Sequence, residues 1–371
     1  MKNKLSGHLK NTIGWRTKRK LVLFAVDDYG NVRVHSKAAR TKLLEAGLPL
    51  KNRFDHFDAL STEDDLQALF GVLSSVRDQE GRPAVFTPYS LPANIDFEKV
   101  LTAKDGQYHY ERLPLTYQKI AGHTRVLDLW EQGQNEGLFQ PEFHGREHLS
   151  VPVFETALSR RDSHTLTCLE NRCYTGLSSR GFSRIKYSVA FGMDRMADKD
   201  RLLPILEDGL QVFKEVFGIE AVAFTPPSGE YHRSLRPTLE RGGIRLIDHP
   251  LFMREHQGEG VYRRVFSFTG QRLSSTQRAI VRNCQFEPTE ESRKDWVGHT
   301  LTQIDYAFRW SRPAIISSHR VNFCGRIEEQ NRTRGLRALK QLLQSIKKRW
   351  PDVEFISVRE LAASITGNVK S

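Results

Sequence analysis

The chain has 371 residues, is 39% hydrophobic and 27% charged, and carries a formal net charge of +12. No apolar run approaches the roughly 20 residues that cross a bilayer, so this is the composition of an ordinary soluble protein, and one α/β barrel with insertions can absorb its length. Its four cysteines, Cys168, Cys173, Cys284 and Cys324, form no Cys-x-x-Cys pair, which speaks against a disulfide framework and a thiolate zinc site and fits a reducing cytoplasm. The N-terminus "MKNKLSGHLKNTIGWRTKRK" lacks the apolar core of a secretory signal. Residues 1–19 instead form a basic segment with Lys2, Lys4, Lys10, Arg16, Lys18 and Arg19, and a second basic set runs from Arg332 to Arg349. Such a field attracts nucleic acid, a phosphate-bearing substrate or the anionic inner leaflet, and a solvated tail and helix face would carry the same charges.

In chain order, the apolar run Leu21–Val26 predicts a strand ending in Asp27 and Asp28. "SKAARTKLLEAG" (36–47) predicts a helix ending at Gly47, and "STEDDLQALFGVLSSVRDQEG" (61–81) a second helix capped by Ser61 or Thr62. "PAVFTPY" (83–89) and "GLFQPEF" (137–143) predict strands, with "DGQYHYERL" (105–113) between them resembling a hairpin. The amphipathic "DKDRLLPILEDGLQVFKEVFG" (198–218) leads into the strand "IEAVAFTP" (219–226). "RLID" (245–248) and "PAIISSH" (313–319) are further strands, and a helix over 328–350 and the strand "VEFISV" (353–358) close the chain. This alternation predicts parallel pairing in a barrel or doubly wound sheet. Residues 20–371 read as one domain, with residues near 90–137 and 252–300 outside the simple alternation and treated as insertions.

Parallel α/β folds place their chemistry at the carboxyl ends of strands. Asp27 and Asp28, His144 and His148, the Pro-rich turn at 226–229, Asp248 and His319 all fall there. Extended backbone would point Asp27 and Asp28 to opposite sides, and the pair would equally suit a turn completed by Gly30 and Asn31. His144 and His148, four residues apart, have the spacing of metal ligands. With Asp28 they make a two-imidazole, one-carboxylate set suited to zinc or another divalent first-row cation; two loop histidines would look the same in sequence. His319 could serve as a general acid or base. Pro226, Pro227, Ser228 and Gly229 form a tight turn whose backbone N–H groups could meet an oxyanion, or which simply links a strand to a helix. His144–His148 also matches the inverted zinc-protease motif, in which Glu147 would activate water, but Pro141, Gly145 and Pro152 are poor company for the regular helix that motif needs.

The ordered set Asp-Asp, His-x-x-x-His, Pro-Pro-x-Gly, Asp and strand-end His resembles the polysaccharide deacetylase family, the nodulation-type carbohydrate esterases, over most of residues 20–362. "DDYG" is also similar to the "DDFG" of the related chitin-disaccharide deacetylases. The resemblance implies a distorted (β/α)7 barrel, with Asp27 as catalytic base, Asp28, His144 and His148 as metal ligands, and His319 as general acid. Two departures mark a divergent member. Thr225 stands where the family has an Arg that orients the base, and Asp248, the match to the partner of the acidic histidine, lacks the accompanying Trp. The expectation is a metal-dependent hydrolase, with zinc the first candidate, that removes acetyl groups from N-acetylated sugars or glycan precursors. It would act in the cytoplasm or peripherally at the inner membrane face. The rival class, a nucleic-acid-binding protein using the basic surface and residues such as Trp15, Tyr108 and Tyr110, has no motif to support it.

Overall fold

The computed structural model describes residues 10–103, 106–120, 123, 125–174, 183–291 and 293–367. In chain order its strands are β1 (Lys20–Tyr29), β2 (Phe86–Ser90), β3 (Ala93–Ile95), β4 (Tyr110–Arg112), β5 (Glu142–Phe143), β6 (Ala223–Phe224), β7 (Leu246–Asp248), β8 (Phe252–Gly258), β9 (Val261–Phe266), β10 (Arg278–Ile280), β11 (Cys284–Gln285), β12 (Ala314–His319) and β13 (Val353–Phe355). The main sheet runs β10-β7-β6-β5-β2-β1-β12-β11, with β13 also on β1, and every pairing in it is parallel. Its two edges, β10 and β11, are consecutive in the chain, separated only by Val281, Arg282 and Asn283. One stretch of chain therefore closes the curl, and with β10 and β11 counted as one the ring has seven strands.

β1 lies at the centre, and Leu21 through Tyr29 are all buried, as expected of a parallel strand covered on both faces. Its flanking helices follow their sequence signals. Ser36 caps the helix Lys37–Glu45, and Thr62, rather than Ser61, closes a capping box with Asp65 at the helix Glu63–Ser74. The helix Lys199–Phe217 buries Leu202, Leu206, Phe213 and Phe217 against the sheet and ends at Gly218 in the left-handed conformation.

Of the two irregular regions, the first forms the antiparallel pair β3–β4 around the helix Phe97–Ala103. The second divides in two. β8–β9 is an antiparallel hairpin outside the main sheet, whereas β10, β11 and the helix Trp296–Arg309 belong to the barrel. Among the described residues no helix is long and apolar enough to cross a membrane. Residues 1–9 of the basic N-terminal segment lie outside the described residues.

Candidate active site

Five strand termini and the closing stretch meet around one cavity of about 730 Å³, lined among others by Asp27, Asp28, His144, His148, Thr225, Asp248, Arg282 and His319. Asp27 and Asp28 do not diverge as alternating strand residues would. Asp28 has φ 74°, a left-handed conformation that Asp tolerates better than most residues. The β1–β2 register shifts between Val26 and Tyr29, and this bulge lets both carboxylates line the same cavity.

Asp28 Oδ1 lies 3.5 Å from His144 Nε2 and 3.3 Å from His148 Nε2. Buried as they are, Asp28 Oδ1 and His144 Nε2 have no hydrogen-bond partner. Orphaned polar atoms are costly, and their separation is that of two ligands about one cation: bonds of about 2.0–2.2 Å at a tetrahedral angle place donors about 3.4 Å apart. His144 Nδ1 is 2.7 Å from the Thr225 carbonyl. A carbonyl only accepts, so Nδ1 carries the proton and Nε2 offers its lone pair inward. Burial holds His148 down at about 3 despite the adjacent Asp28 carboxylate. Burial also opposes the charge of Asp28, but the facing imidazoles and the Arg33 guanidinium outweigh it and keep the carboxyl well below its usual range. A neutral His148 imidazole and an ionised Asp28 carboxylate are the protonation states a divalent cation requires. The residues present fit such an ion.

Asp27 is held by a residue from the closing stretch. Arg282 donates from Nη1 to Asp27 Oδ2 (2.8 Å) and from Nη2 to Oδ1 (2.7 Å), a bidentate fork. Its Nε bonds Asp248, and its Nη2 also reaches the Thr225 hydroxyl at 3.0 Å, which in turn donates to Asp248 at 3.1 Å. The Arg expected at position 225 is thus replaced in space by Arg282, with Thr225 and Asp248 as its supports. Asp248 pairs with Arg282 and not with the strand-end histidine. That histidine, His319, is bonded through Nδ1 to Glu287 Oε1 at 2.6 Å, while its Nε2 lies 3.8 Å from Asp27 Oδ2. Burial disfavours the imidazolium, but Glu287, with Asp27 and Asp28 behind it, raises His319 to about 9.

Two candidates take other roles. Glu147 is buried and bonded to Arg146 (2.6 Å) and Tyr108 (3.3 Å), so it stands outside the cavity wall and the inverted zinc-protease arrangement is not formed. Pro227 is buried, and Ser228 and Gly229 line the cavity. Yet the Gly229 N–H is donated to the Pro226 carbonyl (2.8 Å), which leaves it no free hydrogen for an oxyanion. Three residues escaped the sequence reading: Arg282, Glu287 and Arg33. Arg282 follows a short apolar run, "AIV", the same strand-end signal that marks His319, whereas only Phe286 precedes Glu287 and no such run marks it. Arg33 lines the cavity with its guanidinium carbon 4.9 Å from the Phe54 ring centroid and 5.3 Å from that of Tyr174. Its Nε faces Asp58 at 3.4 Å.

No family model and no curated protein matches the chain. Solved structures do. A candidate glycoside hydrolase/deacetylase of Parabacteroides distasonis superposes with a TM-score of 0.51 at 10% identity, covering 96% of this chain and 73% of that one. The fold is the distorted barrel of the polysaccharide deacetylase type. Candidate polysaccharide deacetylases of Mycobacterium smegmatis (TM-score 0.46, 11% identity, 96% and 94% of the two chains) and Pseudomonas aeruginosa (0.45, 10%, 95% and 93%) are also similar. In this deacetylase-type barrel the polar residues gather at the carboxyl ends of β1, β5, β6, β7, β11 and β12, where the fold leaves its loops free to vary.

Proposed function

We propose that the protein is a metal-dependent hydrolase that removes the acetyl group from an N-acetylated sugar. The observation that carries this reading is the convergence, in one cavity, of an Asp28–His144–His148 donor set, with Asp28 Oδ1 and His144 Nε2 orphaned, with a clamped carboxylate and a raised imidazole on its edge. A divalent cation held by those three residues, zinc being the first candidate, would polarise the acetyl carbonyl and lower the pKa of water. Asp27 is the base that takes the proton of the attacking water. The Arg282 fork aims its carboxylate. His319, protonated at neutral pH through Glu287, directs its Nε2–H into the cavity and donates that proton to the departing amine nitrogen. The cavity has room for a sugar and its neighbours, and Lys10 and Arg33 in its wall favour a substrate with a carboxylate or phosphate substituent.

The test is acetate release from a panel of neutral and anionic N-acetylated oligosaccharides and nucleotide sugars, with the metal content of the same preparation measured. Asp27→Asn should retain metal and lose about 10²- to 10⁴-fold in turnover, the share of a general base. Absence of acetate release by the metal-replete protein across the panel would reject the reading. Metal retained in Asp28→Asn and lost in Asp27→Asn would reverse the two assignments.

A further inference from the structure

The hairpin β8–β9 presents a face that nothing among the described residues covers. Its register pairs Phe252 with Phe266 and Arg254 with Arg264, so two aromatic rings and two guanidinium groups alternate on one side. Like charges directly opposite one another destabilise a hairpin. Here each guanidinium lies over a ring, Arg254 over Tyr262 and Arg264 over Phe252, and the Glu230 carboxylate also acts on Arg254. Phe252, Val261 and Phe266 are 48%, 60% and 41% exposed.

The surroundings repeat this chemistry. Met196, also exposed, sits beside the hairpin tip, where the Glu259 N–H donates to the Asp194 carbonyl at 2.9 Å. The N-terminal segment runs past the hairpin base, with the Trp15 N–H bonded to the Thr269 carbonyl at 2.7 Å. Ile13, two residues earlier on that segment, is exposed. Of the seven large apolar side chains that stand exposed among the described residues, three, Phe252, Val261 and Phe266, belong to this hairpin, and Met196 stands beside its tip. Large exposed patches of this kind mark interaction sites. Lys10, Arg16 and Lys18 lie on the same segment, exposed and without an ion-pair partner among the described residues. The patch also borders the cavity: His249 and Pro250 line it just before β8 begins, and Lys10 lines it from the other segment.

We propose that this face, the β8–β9 hairpin together with residues 10–18, docks on an anionic lipid bilayer and brings the cavity rim to the membrane surface. Unpaired cations supply attraction to anionic headgroups, while Phe, Val, Ile and Met supply the apolar part that enters the headgroup boundary. A second copy of the chain fits less well, because a two-fold contact through this face would set its arginine-bearing patch against the same patch of the other copy. Nucleic acid would use the cations but leave the apolar side chains without a partner.

Co-sedimentation with vesicles tests this and does not depend on hydrolysis. The full-length protein should bind vesicles of equal parts phosphatidylglycerol and phosphatidylcholine, release in high salt, and stay in solution with phosphatidylcholine alone. The double variant Arg254→Gln/Arg264→Gln should weaken binding by about 30-fold if each cation contributes as basic residues near a charged surface do. Phe252→Ser/Phe266→Ser and, at the tip alone, Val261→Ser should weaken it too, with an unchanged melting temperature showing that the fold survives. Absence of wild-type binding to the anionic vesicles, binding indifferent to these substitutions, or a dimer in light scattering that Phe252→Ser/Phe266→Ser dissolves would each overturn the proposal.

Discussion

Arg282 has the most to hold at the scale of single residues. Its buried guanidinium lies between Asp27 and Asp248, so its removal leaves two carboxylates facing each other without a counter-charge. Breaking a buried pair in this way costs about 3–5 kcal/mol, whereas replacing all partners by apolar groups can be neutral. Arg282→Met should therefore lower the melting temperature sharply and abolish turnover. Adding Asp248→Leu to it should recover part of the stability and none of the activity, since Asp27 is still unclamped. Glu287 acts on the other proton-carrying group. With His319 raised to about 9, activity that needs the imidazolium should fall as pH rises through that value. Glu287→Gln keeps a hydrogen-bond acceptor but removes the charge, so the alkaline limb of the pH–rate profile should move down toward the ordinary 6.5 of histidine. The same linkage acts on stability. The raised imidazole stabilises the fold fully below about 6.5, and this contribution disappears as pH climbs through about 9. A limb that stays in place in Glu287→Gln would show that His319 is not the group titrating.

At the scale of elements, what brings these residues together is backbone geometry at a few places. Gly335, in the helix Glu329–Arg349, packs so closely on the turn after β12 that a Cβ would lie 1.7 Å from the Asn322 carbonyl oxygen. Asn322 in turn donates to Glu287 at 2.7 Å, so helix, turn and acidic partner form one packed unit behind His319. Gly71, in the helix Glu63–Ser74, has nothing within 4 Å of where its Cβ would stand. The same substitution should then have opposite signs. Gly71→Ala should stabilise by up to about 1 kcal/mol through helix propensity and a less flexible unfolded chain. Gly335→Ala should lose more than that gain, by about 1–3 kcal/mol, because the turn has to move. Denaturant melts of the two variants check the pair, and stabilisation by both would mean that the helix can back away from the turn. The bulge at Asp28 belongs to this scale as well: a regular strand would have sent one of the two carboxylates out of the cavity.

Across the whole molecule, a cation held by Asp28, His144 and His148 would tie the carboxyl ends of β1 and β5 together, since His144 and His148 follow β5 directly. A ligand that binds only the folded state stabilises it by mass action, about 2.7 kcal/mol at 100 times its dissociation constant. The melting temperature of chelator-treated protein should accordingly rise as zinc is added back. In His144→Ala or His148→Ala that rise should be lost, and in Asp27→Asn it should persist. A zinc-dependent rise retained in both histidine variants would place the cation elsewhere.

The sequence by itself determined the alternating strands and helices, because burial on both faces of a parallel strand leaves an uninterrupted apolar run that is legible locally. It also pointed to Asp27, Asp28, His144 and His319 as polar residues that end such runs, and to His148 by its spacing from His144, and all five line one cavity. Tertiary structure decided the partners. Arg282 reaches Asp27 across 255 positions, and Glu287 reaches His319 across 32, through strands of two or three residues that look like parts of an insertion. Strands that short carry almost no periodicity. They exist because the ring of parallel strands has to close, and the edge that closes it is set by the curl of the whole sheet rather than by the residues of β10 and β11 alone.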